Sequence, residues 1–184
     1  MKHIYLIRHG QTEYNRRHIV QGSGVDSALN AVGHAQAEAF YQQYREVSFS
    51  KVYTSKLKRT HQTVAPFTSQ GLAWEQLEGL NEISWGVKEG RRITAEDDKQ
   101  HFAMLRAWTE GDYTAKVEQG ESPQEVTERQ QAAWKYILEQ DDDSPILVCM
   151  HGRALRILLC YLLDIPLSHM DEFKHTNTCL SLLE

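Results

Sequence analysis

Two apolar segments, each ending in a histidine and a glycine, constrain the fold of this chain more than any other feature. The first, Ile4–Ile7, continues into Arg8–Gly10. The second, Ile146–Met150, continues into His151–Gly152. Short apolar runs without alternation are typical of central parallel strands that are buried on both faces. Ligands bind at the carboxyl ends of such strands, so two neighbouring strands would bring the two imidazoles together at that edge.

The rest of the chain alternates helical and strand patterns. Ser122 and Glu125 form a capping box around Pro123, which predicts the start of a helix that reaches about Gln140. Strands that alternate with helices predict one α/β domain over residues 1–184, a length that suits a single core. The other predictions are strands at Lys51–Thr54, Trp74–Leu77 and Thr178–Leu183, helices at Val32–Tyr44, Lys56–Thr68, Ile93–Trp108 and from Gly152 to Leu163, a loop at Asn81–Arg92 and a solvated turn at Asp141–Asp143.

Composition excludes several classes of function. The net charge of -5 gives no general basic face for nucleic acid. The longest apolar stretch, Leu155–Leu163, contains Arg156 and is far shorter than the roughly 20 residues that a membrane span needs. Three cysteines, Cys149, Cys160 and Cys179, lie in apolar runs and are expected to be reduced core residues. We therefore expect a soluble cytoplasmic protein that binds neither nucleic acid nor a membrane, with monomer and dimer both open.

The residues alone allow three interpretations of the two histidines. They could be metal ligands, but no third ligand stands at a recognisable spacing, and the chain has neither an HExxH nor a CxxC motif. They could also be core histidines without a chemical role. Arg8 favours a third interpretation, because a planar, permanently charged guanidinium suits phosphate oxygens. An imidazole among cations attacks phosphorus well, because the cations neutralise the charge that develops on the oxygens.

Seven segments resemble, in order, the sequence blocks of the histidine phosphatase superfamily, which includes cofactor-dependent phosphoglycerate mutases and small-molecule phosphatases. The first, LIRHGQTEYN, is similar to the family signature. The resemblance covers nearly the whole chain and implies a three-layer α/β/α fold, phosphoglycerate mutase-like, with a mostly parallel central sheet and helices on both faces. The other segments are QGSGVDSALNAVGHAQA, YTSKLKRTHQTV, LNEISWGVKEG, QGESPQEVTERQ, VCMHGRALR and NTCLSLL.

The resemblance also implies a role for each site residue. His9 would be the nucleophile that forms a phosphohistidine, and Glu82 would be the general acid. A general acid must keep its proton near neutral pH, which apolar neighbours such as Ile83 and Trp85 would favour through desolvation. No metal and no cofactor are implied. Arg8, Arg59 and His151 would hold the phosphoryl oxygens, and Thr12, Asn15, Gln21 and Gly152 would line the substrate pocket.

Three points stay open in the sequence. Glu89, seven residues after Glu82, is an alternative general acid. Arg153 either faces the pocket, where it would favour a second anionic group on the substrate, or lies on a helix surface. His169 and His175 flank Asp171 in what is expected to be a surface loop and not a metal pair.

The expected reaction is hydrolysis of a small phosphorylated metabolite, with a lid over residues 91–120 that sets the choice of substrate. Mutases of the family are longer and carry an adjacent arginine pair in the lid, well after the acid. Here Arg16–Arg17 precedes Glu82, and Arg91–Arg92 follows it too closely. A mutase and a non-catalytic protein that binds a phosphorylated ligand are the alternatives. The intact set of site residues argues against an idle relative.

Overall fold

The computed structural model describes residues 2–140 and 145–184, so the turn predicted at Asp141–Asp143 lies outside the described residues. Within them, the chain forms a sheet of five strands in the order β3-β2-β4-β1-β5. The first four strands run parallel, and β5 is antiparallel to β1. The mostly parallel sheet is therefore confirmed. The strands are β1 (Ile4–Arg8), β2 (Lys51–Thr54), β3 (Trp74–Gln76), β4 (Ile146–Met150) and β5 (Leu180–Leu183).

Helices cover both faces of the sheet. Successive residues of a strand point to opposite faces, and accordingly Leu6 packs in one apolar cluster and Ile7 in another. The cluster around Leu6 contains side chains of the helices Pro123–Glu139 and Gly152–Leu162, and the cluster around Ile7 contains side chains of the helices Ala31–Tyr44 and Lys58–Thr68. The predicted three-layer arrangement is thus confirmed. The helices are α1 (Glu13–Arg16), α2 (Ala31–Tyr44), α3 (Lys58–Thr68), α4 (Ala95–Thr109), α5 (Pro123–Glu139) and α6 (Gly152–Leu162), with 3₁₀ turns at Glu78–Leu80, Gly86–Lys88 and Leu167–Glu172.

The register between β1 and β4 positions the two histidines. Arg8 is paired with Met150 at the last rung of the parallel ladder, so His9 and His151 leave the sheet at the same level. The backbone N–H of His9 still donates to the Met150 carbonyl at 3.0 Å. The two strands therefore deliver both imidazoles to one edge, as the sequence predicts.

Element boundaries differ from the predictions at a few ends. Helix α3 begins at Lys58, two residues later than predicted, and contains Pro66 in its last turn, where the missing N–H removes one backbone hydrogen bond. Strand β5 begins two residues later than predicted, because Thr178 has a φ of 55° and leaves the extended conformation. Cys149 and Cys160 are buried and free, whereas Cys179 is free but only partly buried, so its assignment to the core is wrong. None of the described helices combines the length and apolar character that crossing a membrane requires.

Candidate active site

His9 is 2% exposed, and a short hydrogen bond fixes the orientation of its ring. Its Nδ1 lies 2.6 Å from the carbonyl oxygen of Gly10, which can only accept, so Nδ1 carries the proton and Nε2 keeps a free lone pair. Burial lowers the pKa of His9 well below its usual value, and the positive charges of Arg59 and Arg8 lower it further. Both effects keep the ring neutral, the form in which an imidazole is a nucleophile.

Gly10, the residue after His9, packs so closely against α2 that a larger side chain would not fit. A Cβ on Gly10 would lie 2.7 Å from the carbonyl oxygen of Gly33 in α2. The Gly10 N–H also donates to the Thr63 hydroxyl of α3 at 2.9 Å. The turn that carries the nucleophile is thereby fixed against both helices on its side of the sheet.

Arg59 and His151 form a buried chain of hydrogen bonds. The Nε of Arg59 donates to Nδ1 of His151 at 3.1 Å, so the proton of the His151 ring lies on Nε2, which donates to the Ser55 hydroxyl at 2.8 Å. Ser55 in turn lies 3.0 Å from the hydroxyl of Thr60, which donates to the Leu57 carbonyl at 2.7 Å. Burial lowers the pKa of His151 well below its usual value, with Arg59 the next cause.

The Arg59 guanidinium is held at three of its five N–H groups. Besides Nε, one Nη donates to the Val25 carbonyl at 2.7 Å and the other to the Gly22 carbonyl at 3.1 Å. Burial lowers the pKa of Arg59 to about 10, which still leaves it charged at neutral pH. The rings of His9 and His151 are 5.1 Å apart between centroids. Arg59 therefore adds a fixed positive charge beside both imidazoles.

The Arg8 guanidinium is held by His175. One Nη of Arg8 lies 3.3 Å from Nδ1 of His175, whose Nε2 donates to the Gly152 carbonyl at 2.8 Å. Burial lowers the pKa of His175 to about 4, so the ring is neutral and accepts from Arg8. The buried Nε of Arg8 has no hydrogen-bond partner among the described residues. An unpaired buried donor of this kind is available to an anion.

Glu82 lies in the loop after the 3₁₀ turn Glu78–Leu80 and faces the start of α6. Its Oε1 accepts from the N–H groups of Ile83 and Ala154 at 3.0 and 2.8 Å, and its Oε2 accepts from the N–H of Arg153 at 3.1 Å. Glu82 is 7% exposed. The carboxyl is thus held at the N-terminus of the same helix that His151 caps, close enough to Arg59 to act on its pKa.

Glu89 has a different environment. Its Oε1 accepts from the Trp85 N–H at 2.8 Å, and a Cβ on Gly22 would lie 2.3 Å from the same oxygen. The loop that carries Gly22 and Gly24 is therefore packed against this carboxylate. Glu89 anchors that loop, whereas Glu82 is held against the helix that follows His151.

Three of the residues expected to line the pocket, Thr12, Asn15 and Gln21, are connected by hydrogen bonds. Thr12 accepts from the Asn15 N–H at 3.1 Å and donates to Oε1 of Gln21 at 3.0 Å. Asn177 donates to the His9 carbonyl at 2.9 Å and lies 3.4 Å from Oδ1 of Asn15. Asn177 links this group to the backbone of His9. Their contact with a substrate, like the catalytic roles above, stays a prediction.

Gly152 and Arg153 begin α6. A Cβ on Gly152 would lie 2.9 Å from the His175 ring, so glycine leaves room for the histidine that holds Arg8. Arg153 donates to Asp171 at 2.6 Å and lies over the Trp108 ring, 5.5 Å from its centroid. Its side chain is only 12% exposed, so it packs against α4 and does not extend over a free helix surface.

Arg129 supports the Glu82 loop from α5, and local sequence reasoning missed it. It donates to the carbonyl groups of Gly79 and Asn81, each at 2.9 Å, and of Glu82 at 3.0 Å. It also makes two hydrogen bonds to Glu121, at 2.8 and 3.0 Å. His175, Asn177 and Ser55 were missed as well. Their contacts reach across long sequence separations, which no local pattern records.

No group of three or more histidine, cysteine, aspartate or glutamate side chains is arranged to hold a metal ion within residues 2–140 and 145–184. The half-buried His175 contacts Arg8 and Gly152, so the expectation of a surface loop was wrong for this residue.

Known proteins of one family are similar to this chain in sequence and in fold. The family model of the histidine phosphatase superfamily, branch 1, matches residues 4–184. A protein of Yersinia enterocolitica named probable phosphoglycerate mutase is 34% identical over 188 aligned positions, covering 100% of this chain and 85% of that protein.

Solved structures give the same result. An α-ribazole phosphatase from Shigella flexneri has a TM-score of 0.83 at 27% identity, over 99% of this chain and 90% of that one. A mycobacterial glucosyl-3-phosphoglycerate phosphatase in complex with VO3 has a TM-score of 0.84 at 25% identity, over 100% of this chain and 91% of that one. The chain therefore belongs to the histidine phosphatase superfamily, branch 1, and the sequence-based assignment of a phosphatase is confirmed at the level of the family.

Proposed function

We propose that this chain is a metal-independent phosphomonoesterase that hydrolyses a small phosphorylated metabolite through a phosphohistidine on His9. The hydrogen bond from His9 Nδ1 to the Gly10 carbonyl carries the proposal, because it leaves the Nε2 lone pair for attack. Arg8 and Arg59 supply fixed positive charge beside that ring.

In the first step, Nε2 of His9 attacks phosphorus and the bond from phosphorus to the alcohol oxygen breaks. The alcohol leaves with the proton of Glu82. Oε1 of Glu82 accepts hydrogen bonds from two N–H groups, and Oε2 accepts a hydrogen bond from only one. Oε2 therefore keeps a lone pair that can carry the proton. The positive charges of Arg8 and Arg59 stabilise the phosphoryl oxygens in the transition state.

In the second step, water attacks the phosphohistidine while the Glu82 carboxylate takes its proton. The bond from phosphorus to Nε2 breaks, inorganic phosphate forms, and both His9 and Glu82 return to their starting states. His151 is already held by Arg59 and Ser55, so it needs no rearrangement of its own partners to stay beside His9. With its Nδ1 accepting from Arg59 and its Nε2 donating to Ser55, the ring has no further N–H for a phosphoryl oxygen, so the preorganised charge comes from Arg8 and Arg59.

The name of the Yersinia relative raises a second candidate, a phosphoglycerate mutase. A mutase must return the phosphoryl group to the glycerate before water reaches the phosphohistidine. In this chain Arg8, Asn15 and Asn177 line an open cleft of about 440 Å³. This cleft admits water beside Arg8, the residue proposed to hold the phosphoryl group, which favours hydrolysis.

Two experiments test the proposal. With a ³²P-labelled phosphate ester and rapid quenching, the label should be found on His9 and be absent from His9→Ala, while the exposed control His34→Ala should keep it. Label on another residue would overturn the mechanism. With 3-phosphoglycerate, ³¹P NMR should show inorganic phosphate, whereas accumulation of 2-phosphoglycerate would establish the mutase.

A further inference from the structure

The two arginines of the candidate site, Arg8 and Arg59, are held by acceptors that carry no charge. Arg59 donates to two backbone carbonyl groups and to the neutral ring of His151. One Nη of Arg8 lies 3.3 Å from Nδ1 of His175. In the part of the chain that the structure describes, neither arginine forms an ion pair with a carboxylate. Their charge is therefore not cancelled by the groups that hold them.

Two arginines that join parts of the fold are held in a different way. Arg129 forms a 2.8 Å ion pair with Glu121, and Arg153 forms a 2.6 Å ion pair with Asp171. A carboxylate binds a guanidinium more strongly than a neutral acceptor does, but it also cancels the positive charge. Neutral partners thus distinguish the arginines of the candidate site from these two.

Glu82 is the carboxyl group that acts most strongly on Arg8 without pairing with it. Burial lowers the pKa of Arg8, and the charge of Glu82 opposes this effect more than any other group does. Both oxygens of Glu82 are engaged by backbone N–H groups. In the first step of the proposed reaction Glu82 is protonated, so it does not reduce the charge of Arg8 when phosphorus is attacked.

The His175 ring is fixed in the form that accepts from Arg8. Its Nε2 donates to the Gly152 carbonyl at 2.8 Å, so its Nδ1 keeps a lone pair. Burial, followed by the charges of Arg8 and Arg156, lowers the pKa of His175 to about 4, and the ring is uncharged at neutral pH. A Cβ on Gly152 would lie 2.9 Å from the ring and 3.3 Å from Nε of Arg8. The ring and the guanidinium are therefore packed against the first residue of α6.

The contact with His175 leaves donors of Arg8 free. It engages one Nη, whereas the buried Nε has no hydrogen-bond partner among the described residues. A buried N–H without a partner is costly unless a ligand or water accepts from it. The guanidinium is thus oriented through one nitrogen and keeps another for an anion.

We propose that His175 is a positioning residue of this site, whose neutral Nδ1 fixes the Arg8 guanidinium and leaves the positive charge of Arg8 to the phosphoryl group. The inference rests on the proposed phosphatase function and adds a residue to it. A carboxylate at the same place would fix Arg8 at least as firmly but would reduce the charge that stabilises the transition state. The site therefore depends on the charge of the acceptor as well as on its position.

Three substitutions at His175 separate these two properties. His175→Asn places an amide oxygen near the position of Nδ1, so Arg8 keeps a neutral acceptor. His175→Asp places a carboxylate oxygen at the same position in a side chain of the same shape. His175→Gln places an amide nitrogen near the position of Nε2, which keeps the contact with the Gly152 carbonyl and removes the acceptor for Arg8.

The activity test uses p-nitrophenyl phosphate, whose leaving group needs little help from an acid. We expect kcat/KM to be lower in His175→Asp than in His175→Asn on the order of 10–100-fold, because a weakened charge at the phosphoryl oxygens acts on the transition state. His175→Gln should lie between the two. In calorimetry, the Kd of inorganic phosphate should be roughly tenfold higher for His175→Asp than for His175→Asn.

Two controls separate this effect from folding and from net charge. In urea titrations His175→Asp should be at least as stable as His175→Asn, because the new ion pair holds Arg8 more firmly. A loss of activity without a loss of stability is not expected of a residue that only supports the fold. His34→Asn and His34→Asp make the same changes at an exposed position of α2 and should both keep the wild-type kcat/KM and phosphate Kd.

The outcomes separate the inference from the function on which it rests. Equal kcat/KM and equal phosphate Kd in His175→Asp and His175→Asn would overturn the inference, while hydrolysis by the wild type would leave the phosphatase proposal standing. If His175→Gln keeps both wild-type values and His175→Asn loses them, His175 acts through Gly152 and the inference is wrong. If the wild type hydrolyses no ester but phosphate binds more weakly to His175→Asp than to His175→Asn, the role of His175 is supported and the phosphatase proposal fails.

Discussion

Glu82 is the residue that would protonate the leaving alcohol in the proposed reaction. An alkyl phosphate leaves as a strongly basic alkoxide and needs a proton in the transition state, whereas p-nitrophenolate needs little help. Glu82→Gln keeps the size of the side chain but has no proton to give. We expect kcat/KM to fall on the order of 10²–10⁴-fold with an alkyl phosphate and far less with p-nitrophenyl phosphate.

The matched comparison for this prediction is Glu89→Gln. Glu89 holds the Trp85 N–H and the loop at Gly22, so its variant should affect both substrates alike. If instead Glu89→Gln shows the dependence on the leaving group and Glu82→Gln does not, then Glu89 is the acid and the assignment of Glu82 is wrong.

At the scale of elements, one ion pair joins α5 to the loop that carries Glu82. The side chains of Arg129 and Glu121 are 21% and 25% exposed, and together they bind the backbone at Gly79–Glu82 and at Ser84. Removing Arg129 leaves the Glu121 carboxylate without its cation and takes the Arg129 donor from the three carbonyl groups. Such losses cost far more than breaking an exposed pair.

We therefore predict that Arg129→Met lowers the free energy of unfolding by about 2–4 kcal/mol in urea titrations. The control is Arg106→Met, whose pair with Glu110 on α4 is 80% and 63% exposed and should contribute no more than about 0.5 kcal/mol. Similar losses in the two variants would show that the pair of Arg129 and Glu121 does not stabilise the loop at Gly79–Glu82.

The elements differ in how well sequence could predict them. The capping box at Ser122 fixes the start of α5, and the apolar runs fix β1 and β4, because these signals are local. The start of β5 depends on the left-handed conformation of Thr178, which has no signature in the sequence.

The same limit applies to the candidate site. His9, Arg8, Arg59 and His151 stand in recognisable segments, and the parallel register brings them together. His175 could not be predicted, because its role comes from a contact with Arg8 that is 167 residues away in the chain. Local patterns thus give the reacting groups, and tertiary packing gives the groups that hold them.

At the scale of the whole molecule, the site makes stability depend on pH. His9 and His151 are buried beside Arg8 and Arg59, and burial lowers both histidine pKa values well below their usual range. In the unfolded chain a histidine titrates near about 6.5. Below that pH these histidines bind protons in the unfolded chain but stay neutral in the folded protein. Their contribution to the free energy of unfolding is therefore full above about pH 6.5 and decreases as the pH falls.

The free energy of unfolding should therefore fall by about 1 kcal/mol for each of these two histidines between about pH 7.5 and about pH 5.5. Urea titrations at both pH values, in a buffer without phosphate, measure the loss. His9→Asn keeps a donor for the Gly10 carbonyl but does not titrate, so it should lose about 1 kcal/mol less than the wild type. His34→Asn, at an exposed position, should retain the wild-type loss. If His9→Asn and the wild type lose the same stability, His9 titrates alike in the folded and unfolded chain, and the lowered pKa of His9 is wrong.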